Sequence, residues 1–340
     1  MHPCRTLPIL LLTVVSIPAP LLQAQDLRVG VMDFYGLRKV TESQVRKTLG
    51  VREGDPLPPS KGDAEARLDQ LSGVVESHLE AVCCDNGQTI LYIGIEERGA
   101  THFDLREPPE GEAALPDEIV TAYTRFLEAA HAASQRASTD EDLTHGHPLM
   151  ADASARSVQE MFPALADTYL AQLREVLRNS NDESQRAIAA YVLVYASRKS
   201  SIVNDLQFAL KDADAGVRNN AARSLVALSV LAKLDPSSEV HISPTWFIEM
   251  LNSLSWSDRN RALWALQTLT DSRDPLVLDQ LRTRALDALV DMARWKTLSH
   301  ALPAFILLGR TAGMPEPDIQ AAWTRGDRDS VISAAKKKAK

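Results

Sequence analysis

The chain has 340 residues, 45% of them hydrophobic and 24% charged, which is the balance of a folded protein and excludes a disordered one. With 37 Lys and Arg against 45 Asp and Glu, the net charge of −8 offers nothing to a phosphate backbone, so nucleic acid is not an expected partner. The length favours two or three structural units, and the low aromatic content of 5% suits close-packed helices.

Residues 1–24 read as an export signal. Arg5 is followed by the apolar stretch Leu7 to Ile17, then by Pro18, Pro20 and a small-residue cleavage site ending at Ala24. The stretch is shorter than the roughly 20 apolar residues a membrane helix needs. The expectation is an exported protein, periplasmic or extracellular, with no integral membrane segment after cleavage. That leaves Cys83 and Cys84 adjacent in a strand, where neighbouring side chains point to opposite faces. One buried and one exposed thiol are expected, with a redox pair as the alternative.

Residues 27–98 read as strand, helix, helix, strand, strand. Leu27 to Tyr35 is β-biased. Thr41 and Gln44 form a capping box, Val40 and Val45 a staple, and Gly50 closes that first helix. A second helix starts near Ser60, aligns Ala64, Leu68 and Leu71, and stops at Gly73. In Val75 to Cys83, alternation places Val75, Leu79, Ala81 and Cys83 on one face, with Glu76, His78 and Glu80 on a wet one. Asp85-Asn86-Gly87 turns the chain into Ile90 to Glu97, where Leu91, Ile93 and Ile95 align.

Phe34-Tyr35-Gly36, Thr41 to Gln44, Leu49 to Asp55 and Ile93 to Arg98 together resemble a POTRA (polypeptide-transport-associated) module. The resemblance implies a periplasmic sheet that holds other chains by adding a strand at its edge. Such modules usually precede a membrane β-barrel, often in tandem. Here one copy stands alone, so binding is implied and transport is not.

Residues 99–156 read as an acidic linker (Glu107 to Glu112), a helix over Asp117 to Arg136, and a loop holding His145 and His147. These two histidines, with Asp140, Glu141, Asp142 and Asp152 nearby, are the candidate metal ligands. A transition metal usually takes three or four ligands at defined spacing, which is not visible, so no metal or other cofactor is expected.

Residues 157–335 read as paired helices with a recurring phrase. Asp182, Arg186 and Ala190 recur as Asp214, Arg218 and Ala222, and as Asp258, Arg261 and Ala265. The phrase resembles HEAT repeats, implying an all-α solenoid in which each Asp caps a helix and each Arg reaches the neighbouring turn. A fourth, degenerate pair covers Leu276 to Arg294 and Thr297 to Leu308. All five tryptophans fall here; Trp256 and Trp295, near helix–turn boundaries, are the candidate partner-binding anchors. Residues 336–340 are a basic tail.

The fold class expected is therefore α+β, a β-α-α-β-β module followed by a helical array. No phosphate loop, H-E-x-x-H, G-x-S-x-G or dinucleotide fingerprint occurs, so no catalytic residue and no small-molecule substrate is expected. The function expected is a non-enzymatic adaptor or scaffold of the bacterial cell envelope with other envelope proteins as partners. The alternative is a metal-binding protein or enzyme centred on His145 and His147.

Overall fold

The structure is a computed structural model that describes residues 27–85 and 88–339. The leader expected at 1–24 and the turn residues Asn86 and Gly87 lie outside the described residues. The protein is α+β, with a small N-terminal sheet and a helical C-terminal region. Among the described residues, no helix is long and apolar enough to cross a membrane.

The N-terminal part runs β1 (Val29–Tyr35), α1 (Glu42–Leu49), α2 (Lys61–Asp69), β2 (Val74–Asp85) and β3 (Gln88–Glu97). β3 is the central strand, parallel to β1 and antiparallel to β2. α1 begins with the expected capping box: Thr41 Oγ1 accepts from Gln44 N, and the Gln44 side chain accepts from Thr41 N. It ends at Gly50 with φ +70°, a left-handed position that favours glycine. Ser60 caps α2.

One sheet face packs Val29, Met32, Leu79, Leu91, Ile93 and Ile95 against α1 and α2. The other face, expected to be wet, is covered. Tyr35, Ile90 and Tyr92 share one core with the helical region, so β3 is buried on both sides and the sheet is a middle layer. β2 also departs from its expected alternation. A register shift between Val74 and Glu76 turns the start of the strand over, putting Val74 inside and Val75 out; Leu79 is inside as expected, and Ala81, on the same face towards the strand's end, is exposed. The exposed Cys83 is disulfide-bonded, which corrects the expectation of free thiols.

Residues 99–116 are not a free tether. Arg106 N donates to Lys211 O at 2.8 Å, Asn181 N donates to Gly111 O at 2.6 Å, and the Arg106 guanidinium lies over the Phe208 ring. Then follow α3 (Asp117–Gln135), the two-residue strands β4 (Glu141–Asp142) and β5 (Leu149–Met150), α4 (Ala153–Gln159) and α5 (Phe162–Thr168). The rest comprises α6 (Leu170–Asn179), α7 (Glu183–Leu193), α8 (Val203–Ala209), α9 (Ala215–Leu234), α10 (Thr245–Met250) and α11 (Trp256–Leu269). It ends with α12 (Pro275–Arg284), α13 (Leu286–Ala293), α14 (Leu298–Thr311), α15 (Glu316–Thr324) and α16 (Arg328–Lys338). The helix expected over Leu276 to Arg294 is split, because Ala285 leaves helical geometry at φ −138°. α7 packs on α9, α9 on α11, α11 on α14 and α14 on α16, with α6, α8 and α10 as hairpin partners of the first three.

The sheet meets the helices through an aromatic joint. The Tyr92 ring stacks on Trp256 at 5.0 Å and tilts against Trp295 at 4.9 Å, while its hydroxyl sits 2.6 Å from His300 Nδ1. Tyr35 reaches across to donate its hydroxyl to Leu254 O at 2.6 Å. Around this joint, Asp33 accepts from Lys296 N and Asp291 accepts from Gly36 N. Such ring pairs contribute about 0.5–1.5 kcal/mol each beyond the area they bury. Gly94 makes the approach possible: a Cβ there would stand 2.5 Å from the Tyr35 ring and 2.8 Å from Leu254 O. Gly94→Ala should therefore destabilise the protein by about 1–3 kcal/mol through overpacking. The measurement is the urea midpoint, and an unchanged midpoint would mean that the sheet and helices are not held this closely.

Candidate functional site

The repeated acidic and basic positions build a ladder of buried charge between successive helices. Asp182 and Asp214 cap α7 and α9 as expected, accepting from Ser184 N and Gln185 N and from Val217 N. Arg186 is buried and forks onto Asp212, in the turn before α9, with both contacts at 2.9 Å. That pairing holds its guanidinium above the usual range. Arg218 repeats the move onto Asp258, with Nε at 2.9 and 3.1 Å from the two carboxylate oxygens.

Asp258 is not a cap. It lies inside the first turn of α11, only 1% exposed, and also accepts from Ser253 Oγ at 2.7 Å. Burial pushes its carboxyl up against the pull of Arg218. The third arginine of the series is likewise displaced, two residues before where the phrase put it. Arg186 and Arg218 each donate Nη1 to the carbonyl six residues earlier, Ser180 O and Asp212 O. The residue that does the same in α11 is Arg259, whose Nε donates to Ser253 O. Arg261 is half-buried instead and donates Nε to Asn219 Oδ1 at 2.9 Å.

Trp256 and Trp295 are not exposed anchors. They are 9% and 1% exposed, and what they grip is the chain's own sheet through Tyr92. Facing the sheet explains why they sit at helix–turn boundaries, since the sheet packs across those ends. Glu80, expected on the wet face of β2, closes the same contact: its carboxylate accepts from Ser255 Oγ and from Ser257 N and Oγ at the start of α11. The tryptophan that does face outward is Trp264, 52% exposed, beside Arg223 and Arg261 on α9 and α11. Sequence could have found it, because it lies opposite the buried Ala262, Leu263, Ala265 and Leu266 of its helix.

The His145–His147 loop is arranged differently from a metal site. His147 Nδ1 faces the Lys199 ammonium at 3.1 Å, and that ammonium donates to Val194 O. Burial, then the Lys199 charge, pushes the His147 imidazole down to about 4; burial brings Lys199 down to about 8. His145 is exposed and lies 3.6 Å from Asp142. Among the described residues, no three His, Cys, Asp or Glu side chains gather as a metal would need. A cation held against Nδ1 is the opposite of what a metal ligand keeps beside it.

The two sheet edges differ. On β2, the Glu65 carboxylate accepts from Leu79 N at 2.7 Å, so α2 covers that edge. On β1, the chain around Gly54 and Asp55 pairs with Val29. Beyond it, no main-chain hydrogen bond leaves Val31 to Tyr35 for any described residue outside the ladder to β3. Compared with known proteins, the sequence matches no family model and no curated protein.

The ladder predicts that Asp258→Ala, which strands a buried arginine, costs about 3–5 kcal/mol. Arg261→Ala should cost less, about 1 kcal/mol, because it removes one half-buried hydrogen bond to a neutral side chain. Arg259→Ala should cost clearly more than Arg261→Ala, and equal costs for these two in urea unfolding would refute the assignment of Arg259, not Arg261, to the buried series. His147 gives a pH test. Its folded pKa lies below its ordinary 6.5, so the unfolded chain binds the proton first and stability falls as pH drops from 6.5 towards about 4. His147→Asn should flatten that part of the thermal-stability profile relative to the unsubstituted protein.

Proposed function

We propose that this chain is an exported, non-enzymatic adaptor of the cell envelope. In this reading the N-terminal part is a POTRA-like module, the C-terminal part is a HEAT-like solenoid, and both surfaces serve to hold other proteins. The observation that carries the reading is the face shared by α9 and α11. Trp264 there exposes half of its surface beside two arginines, on helices that pack in succession from α7 to α16. A large aromatic flanked by arginines has the composition of a binding hot spot.

Further support comes from the sequence of elements in the N-terminal part and from the unpartnered stretch of the β1 edge, which offers main-chain donors and acceptors to an added strand. Export rests on the leader pattern in 1–24. The alternative reading, a metal protein or enzyme at His145 and His147, draws no support from a loop whose inner histidine is occupied by Lys199.

Photo-crosslinking residues placed in cells at Trp264 and at Phe34 of β1 test the proposal. Each should yield a discrete, reproducible protein adduct. Leu276, which is 75% exposed on α12, a helix that packs on α10, α13 and α14, serves as the control. Adducts no stronger at Trp264 and Phe34 than at Leu276 would make the chain a spacer and end the adaptor reading.

A further inference from the structure

Where the C-terminal ends of β1 and β3 meet α11, α12 and α13, a cavity of about 390 Å³ opens, its mouth framed by the exposed Thr101 and Thr283. Small-molecule sites typically enclose about 300–1,000 Å³. Its charged lining is Arg38, Arg259, Arg282 and Arg284, with Glu96 and Asp287 opposed. We propose that this cavity binds a carboxylate, with Arg259 as the residue that receives it.

The argument is one of charge accounting. Arg38 pairs with Asp291 at 3.0 Å, Arg282 with Asp279 at 3.2 Å and Arg284 with Glu249 at 3.1 Å. Arg259 is only 4% exposed and forms no ion pair with a carboxylate among the described residues. Its one hydrogen bond goes from Nε to Ser253 O, its Nη1 has no partner among the described residues, and its guanidinium lies 4.4 Å over the Tyr35 ring. A buried cation left without a counter-charge is expensive, and burial indeed pushes the Arg259 pKa down.

The ladder explains why the position is open. Arg186 and Arg218 each find an aspartate on the next hairpin. Beyond Arg259 the sheet takes the place of a further acidic turn, and it offers an aromatic ring instead. The stacked guanidinium keeps an edge suited to the fork geometry of a carboxylate. With the carboxylates of Glu96 and Asp287 also in the lining, Asp287 at 3.9 Å from Arg38 Nε, a monoanion on Arg259 is repelled less than a dianionic phosphate. The carboxylate can belong to a free small molecule or to the C-terminus of a polypeptide, and both present the same group to Arg259.

Calorimetry on the purified protein at low ionic strength separates these sources. The probes are sodium benzoate, an N-acetylated tripeptide acid, the same tripeptide as its C-terminal amide, and inorganic phosphate. Benzoate, the acid tripeptide or both should bind saturably, the amide should not, and the tighter of the two acids names the source. Arg259→Lys, which keeps the charge but loses the fork, should weaken binding roughly tenfold or more. Thr101→Trp, a substitution at the mouth that leaves Arg259 untouched, should abolish binding while the circular dichroism spectrum is unchanged. The proposal is overturned if neither acid binds, if phosphate binds more tightly than both acids, or if Thr101→Trp leaves binding intact.

Discussion

The aromatic joint of Tyr92 with Trp256 and Trp295 is the contact on which the arrangement of the whole chain depends. A three-stranded sheet backed by two short helices has one greasy face to spare, and β3 carries large apolar side chains on both of its faces. The helical region supplies the second cover. Both indole N–H groups are buried without a partner among the described residues, so ring faces and buried area, not polar complementarity, hold the two halves together. The polar contacts at Asp33, Gly36 and Glu80 fix how the halves are turned on each other.

The charged ladder has a different role. Removing two charges from water costs more than their attraction easily returns, and a well-packed apolar pair of the same size would serve stability as well or better. What the Arg186–Asp212 and Arg218–Asp258 pairs supply is registry. Each arginine donates Nη1 to a carbonyl six residues back and Nε to a carboxylate on the next hairpin. A hairpin that slides or rotates leaves buried charge unpaired, so alternative stackings of these Ala- and Leu-rich helices are penalised. The same logic makes Arg259, where the series meets the sheet, the odd member.

Much of this was legible before any coordinates. The capping box at Thr41, the left-handed Gly50, the start of α2 at Ser60 and the strand–helix–helix–strand–strand order follow from local chemistry, which local sequence records. The covered second face is also written in the sequence. Ile90 to Ile93 in β3 is a continuous apolar run, the pattern of a strand buried on both sides, while alternation in β2 suggested a wet face. Less accessible was the register shift at Val74–Glu76, since a bulge inverts the pattern without marking itself in the residues. Arg259 and Arg261 sit in the same helix two residues apart, and only the carbonyl at Ser253 distinguishes them. The roles of Trp256 and Trp295 depended on a docking between distant segments that no local window contains.

These constraints bear on where the chain can meet anything else. With α1 and α2 on one sheet face and the helical region on the other, neither face is free for a partner. The β2 edge is already capped by Glu65. What remains for the N-terminal part is the stretch of β1 beyond Val29 and the cavity where its end meets α11 to α13. Both lie against the helices, so a ligand at either one touches the seam between the halves. Binding there would stabilise the joined arrangement by mass action, in proportion to how much more tightly the joined form binds than the parted one. The outward face of α9 and α11 includes Trp264, on the same helix that carries Trp256 and Arg259. Helix α11 thus carries Trp256 against the sheet, Arg259 in the cavity wall and the exposed Trp264.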